Sequence, residues 1–306
     1  MKHRIHQGEA MTLTGLFVPL ITPFTATGDL AADALERLAH DVLDAGASGI
    51  VALGTTGEPA TLTGDERRRV LDICATVCRE RQVPLIAGTG SNSTADSMAS
   101  LAGLDARVTA ALVVVPYYTR PSAAGVVEHF RSVTAASPVP VLVYNIPYRT
   151  GVSLDAESLC RLAELPGVAG FKHAVGGIDA ATIAFMSRRP AGTSVLAGDD
   201  LFAAPLLALG ASGAILASAN VAPTPYVDMT AAWRDGSMDR ARELGNLLAP
   251  LSGALFAEPN PVVVKGVLAA QGRIPSAAVR LPLLPATDAA VTVALAALDS
   301  SIAAPV

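Results

Sequence analysis

What most constrains this chain is a recurrence. Eight short apolar runs, each closed by Gly, Pro or a polar turn, alternate for the most part with segments of helical period. The runs are GLFVPLIT from 15, GIVALG from 49, PLIAGTG from 84, ALVVVPYY from 111, PVLVYNIP from 140, VAGFKHA from 168, SVLAGDD from 194 and GAILASAN from 213. Their length and punctuation predict strands, and continuous hydrophobicity predicts burial on both faces, as in a parallel sheet under helices. The intervening segments carry stripes such as Leu35, Leu38, Ala39, Val42 and Leu43, ended by Gly46, the signature of a covering helix. Eight such units predict an α/β protein, a closed (β/α)8 TIM barrel, with an open doubly wound sheet as the alternative.

After the eighth run only helical patterns remain, at roughly 225 to 235, 237 to 256, 260 to 271 and 286 to 303. A barrel of this kind takes about 250 residues, and the chain has 306. The expected organisation is an N-terminal extension at 1–13, the barrel at 14–224 and C-terminal helices at 225–306 packed on the barrel, since no low-complexity linker separates them. The opening MKHRIHQGEAMTLTG is basic and lacks the apolar core of a secretory signal. Leu201 to Val227 is uncharged and long enough to span a bilayer. Gly210, Gly213, Asn220, Pro223 and Pro225 punctuate it, so it is expected to be a buried helix, strand and turn.

Composition narrows the function. With 51% hydrophobic and 16% charged residues the chain can bury a large core, and a net charge of -5 without a Lys/Arg run gives no footprint for nucleic acid or a membrane surface. Three cysteines, an odd number, suit reduced thiols in the cytoplasm rather than a disulfide framework. Cys74 and Cys78 continue the helical stripe of Val70, Ile73 and Val77 and are expected in the core, as is Cys160. The histidines are scattered without metal-ligand spacing, so no metal is expected. GTGSNS at 88–93 lacks the third glycine of a dinucleotide fingerprint, and no GxxxxGK[ST] loop occurs.

Barrel chemistry gathers at the carboxyl ends of the strands. There the chain offers GTTGE at 54–58, PYY at 116–118, YNIPYRTG at 144–151, Lys172 and GDD at 198–200. Lys172 sits in an apolar run, where burial favours the neutral amine, and a neutral amine can attack a ketone to form an iminium ion. The alternative is a strand-end lysine that reaches solvent or an anion. Tyr144 and Tyr118 suit a proton shuttle bridged by a hydroxyl such as Thr55, or else simple aromatic packing at the rim. Thr55 and Thr56, in a Gly-flanked turn, could hold a small carboxylate. Asp199 and Asp200 point to opposite faces if extended, which predicts a turn and helix-capping role rather than a shared cation.

GTTGE, PYY followed by RP at 120–121, YNIPYRTG, GFK at 170–172, GDD and EPNP at 258–261 occur in an order and spacing that resembles the dihydrodipicolinate synthase and N-acetylneuraminate lyase family, over about Leu16 to Pro285. The resemblance implies a class I aldolase-type enzyme without metal or organic cofactor, in which Lys172 forms a Schiff base with pyruvate. It implies Tyr144 as proton donor and acceptor, Thr55 and Tyr118 as its relay, and Thr56, Ile215 and Gly198 bordering pyruvate. Arg149 is the discriminator: it would pair with the carboxylate of aspartate semialdehyde, giving 4-hydroxytetrahydrodipicolinate, unless it serves a structural salt bridge. A pyruvate-dependent aldolase or dehydratase for a sugar-derived 2-keto acid, such as N-acetylneuraminate or 2-keto-3-deoxygluconate, is the alternative, and a noncatalytic keto-acid sensor a more distant one.

The resemblance further implies a homo-oligomer, a dimer of dimers, in which Tyr118 enters the neighbouring subunit's site. Two positions depart from the family pattern. His173 replaces an acidic residue and is expected to point away from the pocket, and Tyr148 is bulkier than usual and expected to narrow the aldehyde site. Asn92 and Tyr117 match positions lining the lysine site of feedback-sensitive members. With Asp96 shorter than the usual Glu, and Gly64 without a polar side chain, weak or absent lysine inhibition is expected.

Overall fold

A computed structural model describes residues 12–303. Most of the N-terminal extension expected at 1–13 lies outside the described residues. The eight apolar runs form eight parallel strands: β1 Gly15–Pro19, β2 Gly49–Ala52, β3 Leu85–Gly88, β4 Ala110–Val114, β5 Val141–Asn145, β6 Val168–His173, β7 Ser194–Ala197 and β8 Gly213–Ile215. They pair in sequence order and β8 returns to β1, closing the barrel. The doubly wound alternative is thereby excluded.

Strand alternation sorts the core into two layers. Phe17, Val51, Ile86, Leu112, Leu142, Tyr144, Leu196 and Ile215 point inward and fill the barrel. Leu16, Val18, Ile50, Leu85, Val113, Val143, Phe171 and Val195 point outward beneath the helices. A bulge where β6 meets β5 resets this alternation: Val141 pairs with Val168, but Leu142 pairs with Gly170. Ala169 packs with the interior and Phe171 with the outer layer, two positions that strict alternation would place on one face. The reset turns Lys172 inward and His173 outward.

The helices are α1 Ala32–Asp44, α2 Gly64–Arg81, α3 Thr94–Ala102, α4 Ala123–Ala136, a single turn α5 Pro147–Thr150, α6 Ala156–Ala163, α7 Ala180–Arg188, α8 Ala203–Ala208, α9 Pro223–Arg234, α10 Met238–Leu255, α11 Val262–Ala270 and α12 Asp288–Ala303. Starts follow capping chemistry. Thr63 and Glu66 close a capping box on α2, and Ser93, Ser122, Asp155 and Asp179 cap α3, α4, α6 and α7. Cys74 and Cys78 are buried on α2 and Cys160 is half-buried; burial pushes the Cys78 thiol up to about 12, far from a reactive thiolate.

The uncharged stretch from Leu201 is divided among a 3-10 turn, α8, β8, a second 3-10 turn at Ala217–Asn220 and the start of α9. Among the described residues no helix is long and apolar enough to cross a membrane. Helix α9 follows β8 and packs against β1 and β8, so it occupies the place of the eighth barrel helix. The boundary expected at 225 falls in its first turn. Helices α10 to α12 form the added layer. They cover α9, α8 and the 3-10 turns that follow β7 and β8, which brings chain from beyond residue 255 to the strands' carboxyl ends.

Candidate active site

At that end of the barrel one hollow is bordered by Thr55, Thr56, Tyr144, Tyr148, Arg149, Lys172, Gly198, Asp200, Ala217, Phe256 and Asn260. Six of the eight residues expected to serve catalysis or substrate binding thus converge: Thr55, Thr56, Tyr144, Arg149, Lys172 and Gly198. Ile215 is fully buried at the end of β8, in the apolar interior with Tyr144. Tyr118 is apart from them. It is 88% exposed, on a loop where both Tyr118 (φ 69) and Arg120 (φ 48) hold left-handed backbone, a conformation that costs energy for residues with a side chain.

Lys172 is 6% exposed and, among the described residues, forms no ion pair. Its Nζ lies 4.4 Å from the centre of the Tyr144 ring. Burial pulls its pKa down to about 8, partly opposed by the Asp200 carboxylate and assisted by Arg149. The amine is therefore available in neutral form near physiological pH. Lys265, also buried, differs: its Nζ is 2.5 Å from Glu58 Oε1 and donates to Ala278 O, which ties up the amine.

Gly198 has a steric reason to be glycine. A Cβ there would stand 2.6 Å from Cγ and 2.8 Å from Cε of Lys172, so any side chain would displace the lysine. Tyr144 is 6% exposed. Burial raises its pKa to about 12, against the lowering effects of Arg149 and of a hydrogen bond with the Thr55 side chain. The phenol is thus protonated at rest, able to donate first and accept later.

The turn Thr55–Gly57 is a 3-10 turn that Glu58 leaves in left-handed conformation, φ 52. Arg149 sits on α5, which Pro147 opens and Gly151, φ 71, closes. Its guanidinium carbon is 5.9 Å from the Tyr148 ring, and among the described residues no ion pair engages it. The structural salt bridge considered for Arg149 is absent among these residues. Tyr148 does border the hollow, while remaining 59% exposed.

Asp200 corrects the sequence reading. Neither it nor Asp199 caps the helical turn that follows them. Asp200 is buried and its Oδ2 accepts from the backbone N–H of Ser218 at 2.7 Å, which joins the loops after β7 and β8. Burial raises its pKa to about 6. The reason is topological: β8 lies beside β7, so the Ser218 amide, eighteen residues on, reaches the carboxylate before the local backbone does. His173 points outward as expected and is buried, its Nε2 3.0 Å from Thr182 Oγ1; burial lowers its pKa to about 4, so it stays neutral. It borders a separate hollow of about 370 Å³ outside the barrel wall with Asn145, Ser153 and Thr182. Phe256 and Asn260, from the added helical layer, also border the reactive hollow; Phe256 was not singled out, and Asn260 stood in the EPNP motif without a role. Among the described residues no three His, Cys, Asp or Glu side chains converge as metal ligands do.

Residues 12–300 match the sequence profile of the Dihydrodipicolinate synthetase family. The chain belongs to that family. A 4-hydroxy-tetrahydrodipicolinate synthase of Methanothrix thermoacetophila is 41% identical, with 90% of this chain and 92% of the relative covered. The solved structure of the 4-hydroxy-tetrahydrodipicolinate synthase from Methylacidiphilum fumariolicum SolV superposes with a TM-score of 0.90 at 34% identity, over 95% of this chain and 96% of that one. A chloride-inhibited dihydrodipicolinate synthase from Acinetobacter baumannii, solved in complex with pyruvate, gives a TM-score of 0.90 at 35% identity, over 95% and 99% of the chains. The Dihydrodipicolinate synthetase family is thus reached from sequence and fold alike, and a member solved with pyruvate shares this barrel.

Proposed function

We propose that this chain is a 4-hydroxy-tetrahydrodipicolinate synthase, a lyase that condenses pyruvate with L-aspartate 4-semialdehyde through a Schiff base on Lys172. The observation that carries the reading is Lys172 itself: buried, outside any ion pair among the described residues, with burial holding its pKa at about 8 in a hollow it shares with Tyr144 and Arg149. Neutral Nζ attacks the ketone carbon of pyruvate and forms a carbinolamine. Tyr144 donates the proton with which the hydroxyl leaves as water, giving the iminium. The phenolate then takes a methyl proton, and the enamine forms.

The enamine carbon adds to the aldehyde carbon of the semialdehyde, whose oxygen takes a proton through Tyr144 and Thr55. The semialdehyde's amine attacks the iminium carbon, closes the six-membered ring and expels Lys172. No redox change occurs and no metal or organic cofactor is required by these steps. Thr56, Gly198 and Ile215 border the pyruvate end, and Arg149 offers a fork for the semialdehyde carboxylate. Tyr118 completes the relay from a neighbouring subunit in a homo-oligomer, a dimer of dimers, and the setting is the cytoplasm, as in lysine and diaminopimelate biosynthesis.

The test is an assay of pyruvate consumption with a panel of aldehydes. Aspartate semialdehyde should be turned over far faster than N-acetylmannosamine or glyceraldehyde. Preference for a sugar aldehyde, or cleavage of 2-keto-3-deoxygluconate, would transfer the site to the sugar-acid branch.

A further inference from the structure

The EPNP segment at 258–261 has so far no assigned task. Asn260 is 8% exposed and borders the reactive hollow. Its Nδ2 donates to Thr56 Oγ1 at 3.0 Å across 204 residues of sequence, while its Oδ1 is buried without a hydrogen-bond partner. A buried amide that leaves one atom unsatisfied is costly to the fold. A contact retained at that cost points to function.

A hydroxyl has one proton and two lone pairs. When Thr56 Oγ1 accepts from Asn260, its own proton is left for another acceptor, and a carboxylate in the hollow is one. The loop carrying Thr56 is held at its far end as well. Glu58 binds Lys265 Nζ at 2.5 Å and the Arg280 backbone N–H at 3.1 Å, and Gly57 O accepts from Thr22 Oγ1 at 2.7 Å. Both Lys265 and Arg280 lie over the Phe24 ring, at 4.0 and 4.3 Å. An oriented hydroxyl on a loop pinned in this way is a preorganised donor.

We propose that Asn260 is a positioning residue for the 2-keto acid: it sets the Thr56 hydroxyl with its proton toward the substrate carboxylate, and the buried Glu58 and Lys265 pair keeps the loop in place. The inference rests on the Schiff-base reading, because that reading supplies the carboxylate.

The experiment measures how borohydride trapping depends on pyruvate concentration in the full-length protein. Asn260→Ala should raise half-saturating pyruvate by about tenfold, the loss of one oriented hydrogen bond, with trapping at saturation and the KM for the aldehyde nearly unchanged. Asn260→Asp keeps the shape but accepts where Asn donates, turning the Thr56 proton away and adding a like charge. Its defect should be larger and should relax as pH falls and the new carboxyl takes a proton. In a Thr56→Val background, Asn260→Ala should add nothing further. Unchanged half-saturation in Asn260→Asp, fully additive losses, or a loss confined to the maximal rate overturns the inference; if Asn260→Ala does not fold, the isosteric Asn260→Asp decides. A wild-type protein that traps nothing removes the Schiff-base reading and this inference with it. Normal trapping beside variants that bind pyruvate equally well removes this inference alone.

Discussion

Lys172 and Tyr144 are register partners on neighbouring strands, and the lysine nitrogen lies 4.4 Å from the centre of the tyrosine ring. Burial around that nitrogen excludes water, which the aromatic face replaces only in part, so the ammonium form is disfavoured and the pKa falls to about 8. Only the neutral amine attacks a ketone. The rate of pyruvate imine formation, followed by rapid quench with borohydride, should therefore fall about tenfold per pH unit below about 8 and level off above it. Asp200 raises the lysine's pKa, so Asp200→Asn should move the profile toward lower pH. A flat profile from about pH 6 to about pH 9 would show that Lys172 is not the titrating nucleophile.

The same burial that favours activity costs stability, and both rise with pH. The unfolded lysine titrates near 10.5 and the folded one near 8, so between those values the unfolded chain holds a proton that the folded chain lacks. Stability therefore rises with pH through that window, and below about 8 the folded state bears the full penalty. Lys172→Met should be inactive yet more stable by about 3 kcal/mol at neutral pH. That advantage should shrink by pH 10 when urea unfolding is compared at the two pH values. A less stable variant at neutral pH would mean that the buried lysine is held by interactions outside this account.

Much of the fold was legible because a parallel barrel buries its strands on both faces, which leaves continuous apolar runs. Seven of the eight strands fall within the predicted runs, and β4 begins one residue ahead of its run, at Ala110. That Lys172 and Tyr144 share one hollow was legible because barrel chemistry gathers at strand ends, and the placement of Arg149 beside them was expected from the family resemblance. The role of Asp200 was not, because its partner Ser218 lies beyond the next strand. The contacts of Thr56 with Asn260 and of Glu58 with Lys265 span 204 and 207 residues, so no local pattern announces them. Gly198 was read as bordering the substrate, and the structure adds that it makes room for the lysine. Helix α9 reads in sequence like the added helices after it, and only its packing on β1 and β8 places it with the barrel.

Arg149 separates the two half-reactions. Its guanidinium borders the hollow without an ion pair among the described residues, so Arg149→Ala should leave pyruvate trapping intact above about pH 8, where losing the guanidinium's lowering of the Lys172 pKa matters least. Use of aspartate semialdehyde should weaken by about 2 to 4 kcal/mol in kcat/KM, as for a lost charge-assisted contact in a desolvated site. Steady-state kinetics with the semialdehyde, beside trapping with pyruvate alone, checks both halves. Equal loss in the two would make Arg149 structural.

Tyr118, exposed and outside its own chain's hollow, is predicted to serve a neighbouring subunit. Tyr118→Phe should lower turnover by about 10- to 1,000-fold without unfolding the barrel. Unfolding and refolding it together with inactive Lys172→Arg should form mixed dimers, each with one intact site. Random pairing in a two-fold assembly then returns about a quarter of wild-type activity. No recovery on mixing would confine Tyr118 to its own chain or to no role in the relay.

The central claim is that Lys172 is the amine that binds pyruvate, and it is tested most directly by locating the bond. Protein incubated with pyruvate and borohydride is digested, and the modified peptide is identified by mass spectrometry. The account predicts a pyruvate-dependent adduct on Lys172, absent in Lys172→Arg and absent without pyruvate. An adduct on Lys265, or none on any lysine, would contradict it.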